Sequence, residues 1–204
     1  MTIYIVISLI AYFIGSISFS VIFSRKFAGF DVRDKGSGNA GTTNVLRTVG
    51  KRVAALTLVC DILKGVIAIA IAIIAGKIWS EIDVQILKYL AGFFAILGHT
   101  FPIFFEFRGG KGVATALGVL ITLNWKIGLI CLIFALILIM LTKMVSLGSV
   151  MAAILYPILT IFMGEANFWA VVVSLLIALL VIFNHRENLK RLKNGTENKL
   201  SFKK

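Results

Sequence analysis

VATALGVLITLNWKIGLICLIFALILIML, residues 113–141, reads either as one long apolar helix or as two short ones that meet at Asn124, Trp125 and Lys126. The choice sets the number of membrane crossings and so the side on which the C-terminal tail lies. A helix needs about twenty apolar residues to cross the roughly 30 Å hydrocarbon layer. Other runs suited to this lie at 3–23, 53–75, 86–107, 145–164 and 168–183. A single crossing over 113–141 would leave the tail, 186–204, outside, although it carries seven of the 21 Lys and Arg residues. Lys and Arg are retained on the cytoplasmic side. Two helices, 113–123 and 127–141, give seven crossings and put the tail beside the other basic block, 25–52, which also holds seven cations. Helices that short sit against neighbours or thin the bilayer at modest cost. The expected fold is therefore an all-α polytopic membrane protein with seven transmembrane helices in a single domain, 1–204. Its N-terminus lies outside, and its C-terminus and polar loops are cytoplasmic.

Composition agrees. With 59% hydrophobic residues, a mean hydropathy of +1.00 and 15% charged residues, the chain is too apolar for a soluble domain. The absence of alternating ten-residue segments argues against a barrel. A net charge of +12 suggests nucleic acid at first sight, but the cations gather in two blocks instead of covering a soluble face. Such clusters report topology first and attraction to anionic headgroups and substrates second, so no nucleic-acid partner is expected. Cys60 and Cys131 fall inside apolar runs and read as small buried hydrophobes. The first run lacks a basic segment before it, and Arg25 and Lys26 follow it, which marks a retained helix and not a cleaved signal.

The polar residues are concentrated. KGSGNAGTTNVLR, residues 35–47, packs Gly36, Gly38, Gly41, Ser37, Thr42, Thr43, Asn39 and Asn44 between Lys35 and Arg47. Glycines let backbone N–H groups turn toward an anion, and hydroxyls, amides and cations add donors, so the stretch suits phosphate. Its glycines match a dinucleotide fingerprint in spacing only, since no βαβ unit surrounds them. A second cluster, Arg108, Gly109, Gly110, Lys111 and Gly112, lacks the first glycine of a nucleotide-binding loop, because Phe105 stands there. Pro102 is expected to kink the third helix, 86–107. Asp61 and Lys64, three apart on the second helix, share a face and should turn inward. In the tail, His185 and Asn188 share a face if the last helix continues, with Asn184 and Glu197 nearby.

Together GSGNAGTTNVLR (36–47), GHTFPIFFEFRGGKGVAT (98–115) and NHRENLKRLKNGTE (184–197) resemble the motifs of the bacterial acyl-phosphate:glycerol-3-phosphate acyltransferase family, the PlsY type. The D-x-x-K-G element at 61–65 is similar to that family too, and the resemblance covers essentially the whole chain. It implies an inner-membrane enzyme that moves a fatty acyl group from acyl phosphate to the sn-1 hydroxyl of glycerol 3-phosphate. The products would be lysophosphatidic acid and phosphate, the first acylation of phospholipid synthesis, and no metal or organic cofactor is implied.

On that basis Gly36, Ser37, Gly38, Asn39, Gly41, Thr42, Thr43 and Asn44 are expected to form a phosphate cradle, with Arg47 and Lys111 as clamps. Gly109, Gly110 and Gly112 would let the second backbone come close. Ser37, His185 and Asn188 are the candidate catalytic residues, and Asp61, Lys64 and Glu197 the structural support. The expected partners are glycerol 3-phosphate, acyl phosphate and membrane lipids. A transporter of a phosphorylated metabolite is the alternative from another class, and it would favour a midplane site on broken helices. A scaffold protein would leave the dense polar clusters without a purpose.

Overall fold

The first apolar run does not form one helix. In the computed structural model, which describes residues 1–163 and 167–200, it divides into α1 (Thr2–Gly15) and α2 (Phe19–Ala28). Serines line the division: the Ser16 hydroxyl donates back to the Tyr12 carbonyl at 2.8 Å, the kind of bond that bends helices, and the Ser18 and Ser20 hydroxyls meet each other at 3.2 Å. The carbonyls of Gly15 and Ile17 leave the ladder at this break and accept from Lys64 Nζ at 2.9 and 3.1 Å.

By packing, the chain forms two compact units, 1–123 and 124–204. In the first, a 3-10 turn (Val32–Asp34) and short α3 (Thr42–Thr48) lead into α4 (Lys51–Ile78), followed by α5 (Val84–Thr100), a 3-10 turn (Ile103–Phe105) and α6 (Val113–Leu123). Helices α1, α5 and α6 pack on α4, and α1 lies along α5. Small residues make the approach close, as expected where lipid removes the hydrophobic drive between helices. A Cβ at Gly15 would overlap the Ala95 carbonyl and one at Gly98 the Tyr12 carbonyl, so α1 and α5 touch by their backbones. The pair α4 and α6 repeats the device, with Gly65 against the Thr115 carbonyl and Gly118 against that of Ile62. Ala68, Ala72, Ala91 and Ala95 fill the remaining contact with Ile7 and Leu87.

The second unit holds α7 (Trp125–Thr142), α8 (Val145–Phe162), α9 (Phe168–Asn184) and α10 (Arg186–Lys193). Residues 113–141 do break in two. Asn124 is extended, and its Oδ1 accepts from the N–H groups of Lys126 and Ile127, capping α7. Among the described residues, five helical stretches are long and apolar enough to cross a membrane, and α9 with α10 makes a sixth if that pair, bent by 62°, is one span. Helix α6, with 11 residues, is shorter.

Three sequence expectations need correction. The first helix is broken and runs on to Ala28. The third ends at Thr100, so Pro102 follows a helix end and does not kink an interior, consistent with proline's exclusion of α conformation in the residue before it. The last helix does not continue through the tail, because it stops at Asn184 and a new axis begins at Arg186. The expected end of one run at Gly164, and the cations Lys203 and Lys204, lie outside the described residues.

Lys64 and Asp61 form the expected pair at 3.0 Å, each side chain 2% exposed. Breaking a buried pair leaves an uncompensated charge, at a cost of about 3–5 kcal/mol, whereas removing both charges is close to neutral. Lys64→Met should therefore lower the melting temperature in detergent sharply, and adding Asp61→Asn should recover only the part owed to the stranded carboxylate, because the carbonyls of Gly15 and Ile17 stay without their donor. Equal melting temperatures for wild type and Lys64→Met would show that the pair holds nothing.

Candidate active site

Both glycine-rich stretches belong to the first unit, and the structure brings them together. The first is shaped from within by Asn44, which is 2% exposed at the start of α3. Its Oδ1 accepts from the Ser37 N–H at 2.9 Å, and its Nδ2 donates toward the carbonyls of Val32, Lys35 and Asn39 at 2.9–3.1 Å. One side chain thus folds the backbone of 32–39 around itself. Gly36 passes so close that a Cβ there would overlap Asn44 Oδ1, and it sits at φ +61, where a side chain is disfavoured. Ser37, Gly36 and Gly38 are exposed at the rim, as is Arg47, while Thr42 and Thr43 are half-buried. The Lys35 ammonium lies 4.1 Å from the Phe30 ring centre.

The second stretch pairs with the end of α5: Gly109 and Gly110 donate to the carbonyls of Thr100 and His99 at 3.2 and 3.1 Å. Asn39 Nδ2 donates to the Gly109 carbonyl at 3.3 Å, which links the two loops. Gly110 lies under the ring of His99 with no room for a Cβ, which would overlap Nε2. His99 Nδ1 is 3.5 Å from Asp61 Oδ1, the oxygen that also faces Lys64, though neither contact is aligned as a hydrogen bond. A chain of buried polar groups therefore runs from the break between α1 and α2 to the underside of the second loop. Lys111, half-buried, and Gly112, at φ +84, complete that loop.

Arg33 is the residue that sequence reasoning passed over. Its guanidinium grips the Asp31 carboxylate at 2.9–3.2 Å, and Nη1 donates to the Phe105 carbonyl at 2.7 Å, a second link between the stretches. Burial pushes the Asp31 carboxyl up, but bonds from the Arg33 side chain and backbone and from Arg25 outweigh it and hold the pKa at about 2. The stability this carboxylate contributes is complete above about pH 4 and is lost as the pH falls toward 2. The spacing Asp31-x-Arg33 was visible, but nothing in a basic block distinguishes a pinned arginine from a solvated one.

The third motif lies in the second unit. His185 sits at the bend between α9 and α10 and is buried, with Nδ1 2.7 Å from the Val181 carbonyl. A carbonyl only accepts, so Nδ1 carries the proton and the acceptor of the neutral ring is Nε2. Asn188 is also buried, and its Nδ2 donates to Glu197 Oε1 at 2.7 Å. Ser146 of α8 donates to the same oxygen at 3.0 Å, and Arg191 Nε to Oε2 at 2.9 Å. Burial raises the Glu197 carboxyl, but these three bonds outweigh it and leave the group below its ordinary value. Glu197 thus gathers Ser146, Asn188 and Arg191 and fixes the amide of Asn188. Ser146 was not foreseeable, because it lies 51 positions from its partner.

Asn44 offers a sharp check. Asn44→Ala removes the side chain that bonds to the backbone at 32, 35, 37 and 39, at about 0.5–1.5 kcal/mol for each bond lost, so the melting temperature should fall and amide exchange over 32–39 should rise. A variant with full stability and weaker phosphate binding would instead make Asn44 a ligand.

Comparison with known proteins agrees with this geometry. The family model for glycerol-3-phosphate acyltransferase matches residues 5–195. A protein of that name from Clostridioides difficile (strain 630) is 46% identical over 201 residues, covering 98% of this chain and 97% of the relative. One from Thermoanaerobacter sp. (strain X514) is 43% identical, covering 96% and 95%. The crystal structure of PlsY (YgiH), an integral membrane glycerol 3-phosphate acyltransferase, in its glycerol 3-phosphate form, matches with a TM-score of 0.87 at 37% identity, covering 97% of this chain and 96% of that one. The lysophosphatidic acid form matches at 0.84 and 35%, covering 97% and 95%. Full-length agreement in sequence and fold, on top of the linked glycine loops, shows that this integral membrane protein belongs to the glycerol-3-phosphate acyltransferase family.

Proposed function

We propose that this chain transfers a fatty acyl group from acyl phosphate to the sn-1 hydroxyl of glycerol 3-phosphate, yielding lysophosphatidic acid and inorganic phosphate. The supporting observation is the pair of glycine-rich loops joined by Asn39 and Arg33, with Arg47 and Lys111 among them. Both substrates present phosphate, together about three to four negative charges, and clustered guanidinium and ammonium groups suit that load. Family membership and the likeness to a PlsY structure in a glycerol 3-phosphate form support the acceptor. The acyl-phosphate donor rests on the sequence resemblance and on the chemistry of the loops.

Acyl phosphate is a mixed anhydride with an activated carbonyl and a good leaving group. The acceptor oxygen attacks the carbonyl carbon, the bond from that carbon to the phosphate oxygen breaks, and phosphate departs with the electron pair. The hydroxyl proton passes to a substrate phosphate oxygen or to His185, whose acceptor nitrogen is Nε2. An acyl-enzyme is not required. Ser37, the candidate nucleophile, is exposed, and among the described residues no carboxylate or imidazole bonds to its hydroxyl. In this reading positioning and charge supply most of the rate, with backbone of 36–41 and 109–112 around phosphate, Arg47 and Lys111 as clamps, and His185 and Asn188 orienting the acceptor. The chain would cross a bacterial inner membrane seven times, N-terminus outside, α6 and α9 completing the count and the loops facing the cytoplasm.

Purified protein in lipid, given palmitoyl phosphate and glycerol 3-phosphate, should form lysophosphatidic acid, and palmitoyl-CoA in place of the acyl phosphate should give none. Product from the thioester alone would overturn the donor. Arg47→Ala and Lys111→Ala each remove a charge-assisted contact, so kcat/KM for glycerol 3-phosphate should fall about tenfold to a hundredfold. Wild-type kinetics in both would remove the clamp. His185→Ala should cut turnover with little loss of melting temperature; a loss of stability alone would make that histidine structural.

A further inference from the structure

The turn that opens the second glycine loop carries two side chains where the backbone disfavours them. Phe105 accepts from the Arg108 N–H at 3.1 Å, and the two residues between, Glu106 and Phe107, lie at φ +59 and +56. Such a turn ordinarily takes Asn-Gly, and left-handed φ at other residues persists only where surroundings impose it. Arg33 supplies the surroundings. Its guanidinium is buried, Nε and Nη2 lie on the Asp31 carboxylate, and Nη1 donates to the Phe105 carbonyl, the first residue of the turn. Asp31 is itself fixed, since it caps the 3-10 turn through the Arg33 N–H and takes Arg25 Nη2 at 2.8 Å. The Glu106 carboxylate stands 3.8 Å from Nη1.

We infer that Arg33 is a positioning residue for phosphate binding: it pins the strained turn at 105–108 to the first glycine loop and so sets where Gly109 to Gly112, Lys111 included, present themselves. Its guanidinium is spent on Asp31 and the Phe105 carbonyl, so it acts through the turn. A further link between the loops, from Asn39 to the Gly109 carbonyl, is neutral and longer at 3.3 Å, whereas the arginine bond is charge-assisted and 2.7 Å. Lysine cannot replace it, because a compact ammonium cannot hold the carboxylate as a fork and reach the carbonyl as well. The inference rests on the phosphate reading of the two loops.

The test combines Arg33→Met and the milder Arg33→Lys with a relief variant, Glu106→Asn plus Phe107→Gly, that fits the turn without strain. Lys143→Gly is the control: Lys143 ends α7 at φ +61 in the second unit, so glycine relieves the same kind of strain away from the loops. Amide exchange over 102–112 in the resting protein is read alongside KM and kcat for glycerol 3-phosphate and the melting temperature. Arg33→Met should speed exchange and raise KM about tenfold, kcat changing far less, with Arg33→Lys showing the same pattern more weakly. Adding the relief variant should restore both exchange and KM, while adding Lys143→Gly should raise the melting temperature and restore neither. Unchanged exchange over 102–112 in Arg33→Met would overturn the inference, as would equal restoration of KM by Lys143→Gly, which would reduce Arg33 to general stability. Should the wild type lack acyltransferase activity, the functional reading fails, and the exchange arm still decides whether Arg33 pins the turn.

Discussion

The ammonium of Lys64, held by two released backbone carbonyls and the Asp61 carboxylate, is the interaction on which the first unit depends. A break in an apolar helix exposes carbonyls that hydrocarbon cannot satisfy, and a lysine in an apolar helix is a charge that hydrocarbon cannot solvate. Each defect resolves the other. The break at 16–18 lets α1 stop where Gly15 meets Ala95, and the backbone contact of Gly98 with Tyr12 follows on the same pair of helices. That contact fixes α5, and with it His99, whose ring faces Asp61 through Nδ1 and Gly110 through Nε2. A buried ion pair is weak evidence for stability in itself. Here it sets geometry, since the second glycine loop rests on the last residue in the chain of contacts.

A discontinuous helix with carbonyls turned on a cation is also what a transporter would offer its coupling ion. In this chain the cation is covalently attached. The break is filled by the protein's own lysine, and the glycine-rich loops lie beyond the end of α5 and before α3, outside the long helices. The arrangement therefore belongs to the scaffold, and the family match gives the transporter reading no support.

Much of this was legible because it depends on local pattern. Apolar run length gave the helices, Asn124 with two polar neighbours gave the break between α6 and α7, and a three-residue spacing gave the pair of Asp61 and Lys64. The two polar loops were legible as distinct clusters from their glycines, amides and hydroxyls, and the structure links them through Asn39 and Arg33. Interactions between distant segments were not. The serines at 16 and 18 look like ordinary tolerated polar residues until the lysine that needs the break is placed beside them, and Arg33 looks like any cation of a basic block until Phe105 is brought to it across 72 positions. Asn44 was grouped with the phosphate ligands on its residue type, yet its side chain is turned on the backbone of its own loop. Composition shows which side chains can bind an anion, but not which of them the loop keeps for itself.

Direct transfer from a bound acyl phosphate to bound glycerol 3-phosphate is the central claim, and it separates from a covalent route by what happens without the acceptor. Rapid-quench measurement of phosphate release, with acyl phosphate at saturation and glycerol 3-phosphate omitted, reads this in a single mixing. The expected result is no burst, with phosphate and lysophosphatidic acid appearing together once the acceptor is added. A burst of phosphate equal to the enzyme concentration, leaving an acyl group on the protein, would contradict direct transfer and return Ser37 to the role of nucleophile.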